Sequence, residues 1–230
     1  MRILVLEHEP GAPTALLADW AASRDHDLDV VAVPALERWP ELSEVDALVS
    51  LGSERSIHAS PEGWIGEEIE FLRTAHGFEV PILGICFGGQ ALSRALGGSV
   101  GAEEKPEVAW RLISSLDPGL ISPGPWFFWH EDLFTLPPGA RLLAGTEWRT
   151  VAFTAGETGV GVQFHPEVDG DLARYWIELG RAKLESYGLD IAALEAEVER
   201  HAPGARAYAF DLFDRIAEWW GVRSPPIALR

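Results

Sequence analysis

The chain has 230 residues, with 36 acidic against 18 basic side chains and a net charge of −18. That charge repels nucleic-acid phosphates and anionic lipid surfaces, so neither is expected as a partner, and no apolar run approaches the ~20 residues of a membrane helix. A single cysteine excludes an internal disulfide and points to a reducing, cytoplasmic setting.

Residues 2–6 read as a short buried strand rather than a signal peptide, because charge follows at Glu7. Residues 13–22 suit a helix, with Leu16, Leu17 and Trp20 at helical spacing. Residues 28–33 form a second strand ended by Pro34, and 45–51 a third. An acidic amphipathic helix follows over 62–75, with Trp64, Ile65, Ile69 and Leu72 inward. Residues 80–85 form a strand, and Ala91–Leu96 a helix stopped at Gly97-Gly98. Residues 99–165 carry strand and turn signals, including Pro123-Gly124-Pro125 and Pro137-Pro138-Gly139. Three helical stretches close the chain at 170–186, 190–201 and 205–221, the last two separated by Pro203-Gly204. This alternation predicts an α/β fold with a parallel sheet, whose sites lie at the carboxyl ends of the strands. The expected organisation is an α/β domain over 1–168 and a helical C-terminal extension over 169–230 packed on it. That extension is read as a cap on the sheet, with a docking surface, a dimer contact or a pocket wall left open.

The chemistry concentrates at two places. Gly84-Ile85-Cys86-Phe87-Gly88-Gly89-Gln90 puts the thiol on a tight turn between strand and helix. There the helix N-terminus favours a thiolate. A lone cysteine also suits a small buried hydrophobe. The second place is Gln163-Phe164-His165-Pro166-Glu167. Pro166 keeps His165 extended, so His165 and Glu167 share one side of the backbone. A cysteine nucleophile needs a base and a group that fixes the base's tautomer, and Cys86, His165 and Glu167 fill those roles.

In these two motifs the sequence resembles the class I (triad-type) glutamine amidotransferase family, in the variant carried by the amidotransferase half of GMP synthetase. The resemblance covers roughly residues 1–170. It implies an open, mostly parallel, flavodoxin-like α/β sheet flanked by helices. It also implies cysteine attack on the side-chain amide of L-glutamine, a γ-glutamyl thioester and release of ammonia. The oxyanion would be held by the Phe87 N–H and by a loop donor at Gly52. The family's Ser-Gly-Gly-Pro loop reads Ser50-Leu51-Gly52-Ser53 here, a departure at Leu51 and Ser53. Gln90, one turn after Cys86, would contact substrate. His130 and Asp132 match a family Ser-His-Gly-Asp segment lining the amino-acid end of the pocket, whereas Trp129 and Glu131 depart from it. Glu7-His8-Glu9 and Arg24-Asp25-His26-Asp27 lack zinc-site spacing, and there is no Walker loop or dinucleotide fingerprint, so no metal and no cofactor are expected.

Three readings follow. The first is an amidotransferase supplying ammonia to a separate synthase subunit. The second is a stand-alone hydrolase of γ-glutamyl amides that releases an amine. The third is a non-catalytic binding module. Self-association is open in each.

Overall fold

Apolar segments of four to seven residues assemble one seven-stranded sheet in the order β2-β1-β3-β4-β9-β8-β7. The computed structural model describes residues 1–60, 62–146 and 149–221, so the end of the extension, 222–230, lies outside the described residues. The strands are β1 (Arg2–Glu7), β2 (Asp27–Ala32), β3 (Ala47–Ser50), β4 (Ile82–Ile85), β7 (Arg141–Thr146), β8 (Arg149–Ala155) and β9 (Gly159–Val162). Five of them, β2-β1-β3-β4-β9, run parallel, and β8 and β7 add an antiparallel edge. A separate antiparallel hairpin, β5 (Val100–Arg111) and β6 (Trp126–Phe134), slips register between Ala102 and Glu107. The expected open, mostly parallel sheet flanked by helices is what the chain forms.

The period of two sorts the core into two layers. Ile3, Val5, Val49 and Ile85 face one side, together with α1 (Leu16–Ser23), α4 (Gly170–Ser186) and α5 (Ile191–Trp219). Leu4, Leu6, Leu48 and Ile82 face the other, with α2 (Gly63–Gly77) and α3 (Phe87–Ala95). β3 and β4 are buried at every residue, as continuous apolar runs in a parallel sheet require.

One expectation needs correction. Residues 190–201 and 205–221 are not separate helices: α5 runs unbroken through Pro203. Proline inside a helix costs about 3 kcal/mol. One apolar stripe, Leu194, Val198, Ala205, Ala209, Leu212 and Ile216, is buried on both sides of it. Each large aliphatic side chain contributes about 1.5–3 kcal/mol, which outweighs the proline. In α2, Ile65 and Leu72 are buried and Trp64 and Ile69 pack against the same layer, as expected, with Glu68 fully buried beside them.

Asp214 ties α5 to α1. It accepts from Trp20 Nε1 at 2.8 Å and from Arg24 Nε and Nη2 at 2.9 and 2.6 Å. Asp214→Asn keeps the volume and loses the charge, so it should cost about 1–2 kcal/mol of unfolding free energy. Urea denaturation checks this, and an unchanged midpoint would contradict it.

Candidate active site

Cys86 is the single residue between the end of β4 and the start of α3. It takes φ 51° and ψ −104°, a left-handed conformation that costs about 1–3 kcal/mol in a non-glycine residue. The turn is tight enough to exclude side chains on either flank. A Cβ on Gly84 would stand 2.4 Å from the Gly88 carbonyl oxygen, and one on Gly88 2.1 Å from that of Ser50. The next N–H, that of Phe87, opens α3, where no intrahelical acceptor exists for it.

β9 ends beside β4, and the chain runs on to place Gln163 and His165 over the thiol. His165 N–H bonds the Phe127 carbonyl at 2.8 Å, which fixes the segment against β6. Its Nδ1 lies 2.7 Å from Glu167 Oε1, and its Nε2 lies 3.3 Å from the Trp129 carbonyl oxygen. The same carbonyl is 3.6 Å from Cys86 Sγ. Gln163 Nε2 also lies 3.6 Å from Sγ. Trp176 of α4 packs edge-on against the imidazole, with ring centroids 5.0 Å apart, and donates its own N–H to the Gly11 carbonyl at 2.7 Å. Cys86, His165 and Glu167 are 4, 4 and 2 % exposed. The structure thus brings these three residues together in a buried setting.

Burial alone would push the His165 pKa down, but the charges of Glu167 and Cys86 outweigh it and hold the imidazolium well above its ordinary value. The folded state binds that proton more tightly than the unfolded one. The resulting stability is full below about pH 6.5 and is lost as pH rises through the folded value. Glu167→Gln removes the stronger of the two charges, so the His165 midpoint should fall toward about 6.5 in an NMR titration. A midpoint that does not move would contradict this electrostatic role.

Gly52 lies beside the imidazole: a Cβ there would stand 2.8 Å from His165 Cε1. Gln90 Nε2 donates to the Asp132 carbonyl at 3.0 Å. The Asp132 carboxylate accepts from Ser56 Oγ at 2.6 Å and faces His58 Nε2 at 3.2 Å, which anchors the loop after β3. His130 sits between Glu103 and Glu107, at 3.4 and 3.3 Å. Burial would raise the Glu107 pKa, but His130 and Arg149 outweigh it and lower it.

Gly52, Cys86, Gln90, His130, Asp132 and His165 all line one cavity of about 770 Å³. Glu167 backs His165 from outside it. α4 supplies a further wall through Trp176, Leu179, Gly180 and Lys183. Leu179 is 61 % exposed there, although its spacing suggests core. Lys183 and Tyr187 both reach Glu131 on β6.

Sequence reasoning misses several of these contacts. Gln163 is visible in the motif, two positions before His165, but nothing local assigns it a role. Ser56 and His58 carry no local signal. His8 reads as part of a loop near the site; it is buried, with Nδ1 3.0 Å from the Gly52 carbonyl oxygen. Glu68 is legible, since it lies four residues from both Trp64 and Leu72 on the inward face of α2.

A model of the family described as Glutamine amidotransferase class-I matches residues 14–177. Among curated proteins, a subunit of the glutamine-hydrolyzing GMP synthase of Thermococcus kodakarensis is 39 % identical over 115 residues, 44 % of this chain and 61 % of that protein. Its counterpart from Sulfolobus acidocaldarius is 31 % identical over 151 residues, 61 % of this chain and 77 % of that protein. This chain therefore spans about three-fifths of the first relative and about three-quarters of the second. Among solved structures, a glutamine amidotransferase from Thermotoga maritima superposes with a TM-score of 0.82 at 27 % identity, covering 95 % of this chain and 98 % of that one.

Proposed function

This chain belongs to the class I glutamine amidotransferase family, and from that premise we propose that it hydrolyses the side-chain amide of L-glutamine through a γ-glutamyl thioester on Cys86. The observation that carries the proposal is the buried chain of contacts from Glu167 through His165 to the carbonyl shared with Cys86 Sγ.

The Cys86 thiolate attacks the amide carbon, forming the C–S bond and placing negative charge on oxygen. The N–H groups of Gly52 and Phe87 hold that oxyanion. The tetrahedral intermediate collapses, the C–N bond breaks, and His165 Nε2 gives its proton to the departing ammonia. Neutral His165 then takes a proton from water as the water oxygen bonds the acyl carbon. The C–S bond breaks, glutamate leaves, and thiolate and imidazolium are restored. Glu167 keeps the proton on Nδ1 and supports the cation. Gln90, with the peptide of Asp132, and His130 border the space for the amino-acid end of glutamine.

The relatives named as GMP synthase subunits support a role in which the ammonia passes to a separate synthase subunit. The wall built by α4 favours a second reading. A cavity of about 770 Å³ lies in the upper part of the ~300–1,000 Å³ range of ligand pockets. It therefore has room for a γ-glutamyl amide whose leaving group is an amine larger than ammonia. Purified chain is to be given L-glutamine and a set of γ-glutamyl alkylamides, with glutamate release followed. Turnover of glutamine, stimulated by a co-purifying synthase, is the expected result. Turnover confined to the alkylamides would move the assignment to the second reading, and turnover of neither would contradict both.

A further inference from the structure

Gly52 needs more than its own sequence to present a backbone donor. Glycine populates several backbone conformations at little cost, so a Gly52 peptide left unheld could turn its carbonyl, rather than an N–H, toward the thiol. Two contacts oppose that rotation. The Leu51 carbonyl before it accepts from Gly88 N–H of α3 at 3.0 Å. The Gly52 carbonyl after it accepts from His8 Nδ1 at 3.0 Å. In a trans peptide the N–H points away from the C=O of the same unit, so the Gly88 contact aims the Gly52 N–H, and the His8 contact holds the next peptide, Gly52–Ser53, and with it the rotation on the far side of Gly52.

His8 is itself held. Its Nε2 lies 2.8 Å from Glu68 Oε2, and the second oxygen of Glu68 accepts from Ser50 Oγ at 2.6 Å. His8 is 5 % exposed and Glu68 is fully buried. The His8 ring stacks on Trp64, with centroids 5.3 Å apart and planes 19° apart, and packs on Phe87 at 4.7 Å. Both ring nitrogens face acceptors, an arrangement that suits an imidazolium. Burial alone would lower the His8 pKa; Glu68 outweighs it and the value is raised. A buried charged pair that broke even on stability would still restrict the loop it touches.

We propose that His8 and Glu68 are positioning residues that lock the Gly52 carbonyl and thereby set the oxyanion loop for attack at Cys86. This rests on the hydrolase reading above and assigns a function to the segment after β1 and to the buried acid of α2. Neither residue touches the reacting atoms.

The test compares two double variants, because removing His8 alone would leave the Glu68 carboxylate buried without its partner. His8→Ala with Glu68→Gln deletes the donor to Gly52. His8→Asn with Glu68→Gln returns an N–H near the Nδ1 position. The first should lose about 10- to 100-fold in kcat, less than the 10²–10³ expected for removing an oxyanion donor outright, with KM within about threefold. Alkylation of Cys86 by iodoacetamide makes no demand on an oxyanion hole, so its rate should stay within about twofold of wild type. The second variant should recover most of the lost kcat. Hydrogen exchange of the peptide spanning residues 50–57 should be faster in the first variant than in the second. Wild-type kcat in the first variant, or parallel losses of kcat and alkylation, would overturn the proposal. If wild-type protein turned over no γ-glutamyl substrate, the hydrolase reading would fail, and the exchange comparison would still decide whether His8 holds the loop. Equal exchange in the two variants would overturn it.

Discussion

Cys86→Ala should lower glutamine turnover by at least about 10⁴-fold while leaving the fold intact. The two halves of this expectation have separate causes. Chemistry is lost because a methyl group cannot form the thioester, and the two groups that contact the sulfur, the Trp129 carbonyl and the Gln163 amide, are not nucleophiles. The fold is retained because alanine at φ 51° is strained much as cysteine is, and only one sulfur atom is removed. The turn itself is set by the close approach of Gly84 to Gly88 and of Gly88 to Ser50, which the substitution does not touch. A melting temperature within a few degrees of wild type, measured beside the loss of turnover, checks both halves. Persisting ammonia release would rule out Cys86 as the nucleophile.

Gly52→Ala should be the next most damaging change, at about 10²–10³ in kcat. The added Cβ would stand 2.8 Å from His165 Cε1 and 3.5 Å from its Nδ1. The ring cannot retreat freely, since Glu167 holds Nδ1 at 2.7 Å and Trp176 packs against it at 5.0 Å. Either the loop withdraws and carries its N–H away from the oxyanion, or the imidazole tilts and loses its line to the thiol. Both routes act on kcat more than on the binding of glutamine. Steady-state kinetics separates the two constants, and a kcat within about threefold of wild type would mean that Gly52 is not as close to the working site as this geometry requires.

What the sequence makes legible follows from how local each signal is. The strand–turn–helix around Cys86 is readable because its glycines and apolar runs are contiguous. The pairing of His165 with Glu167 is readable because Pro166 restricts the backbone between them. The apolar spacing over 170–186 predicts the bounds that α4 takes, Gly170–Ser186, and the structure adds Asp169 as its cap, accepting from Leu172 N–H at 2.8 Å. The break expected at Pro203 does not occur, because burial on both sides of that residue overrides a local preference that sequence reading weighs first. The contacts of His8 with Gly52 and with Glu68 are hidden for a different reason. They join residues 44 and 60 positions apart, and no local pattern announces that a parallel sheet will place the end of β1 beside the end of β3. Ser56 and His58 against Asp132 are hidden in the same way, across 76 and 74 positions.

The most direct test of the central claim is covalent labelling with a diazoketone analogue of glutamine, read by peptide mass mapping. The analogue needs both the amino-acid pocket and the nucleophile. The account predicts one label per chain, on Cys86, formed more slowly in the presence of L-glutamine and abolished in Cys86→Ala. Labelling on another residue, or labelling of Cys86 that glutamine does not slow, would contradict it.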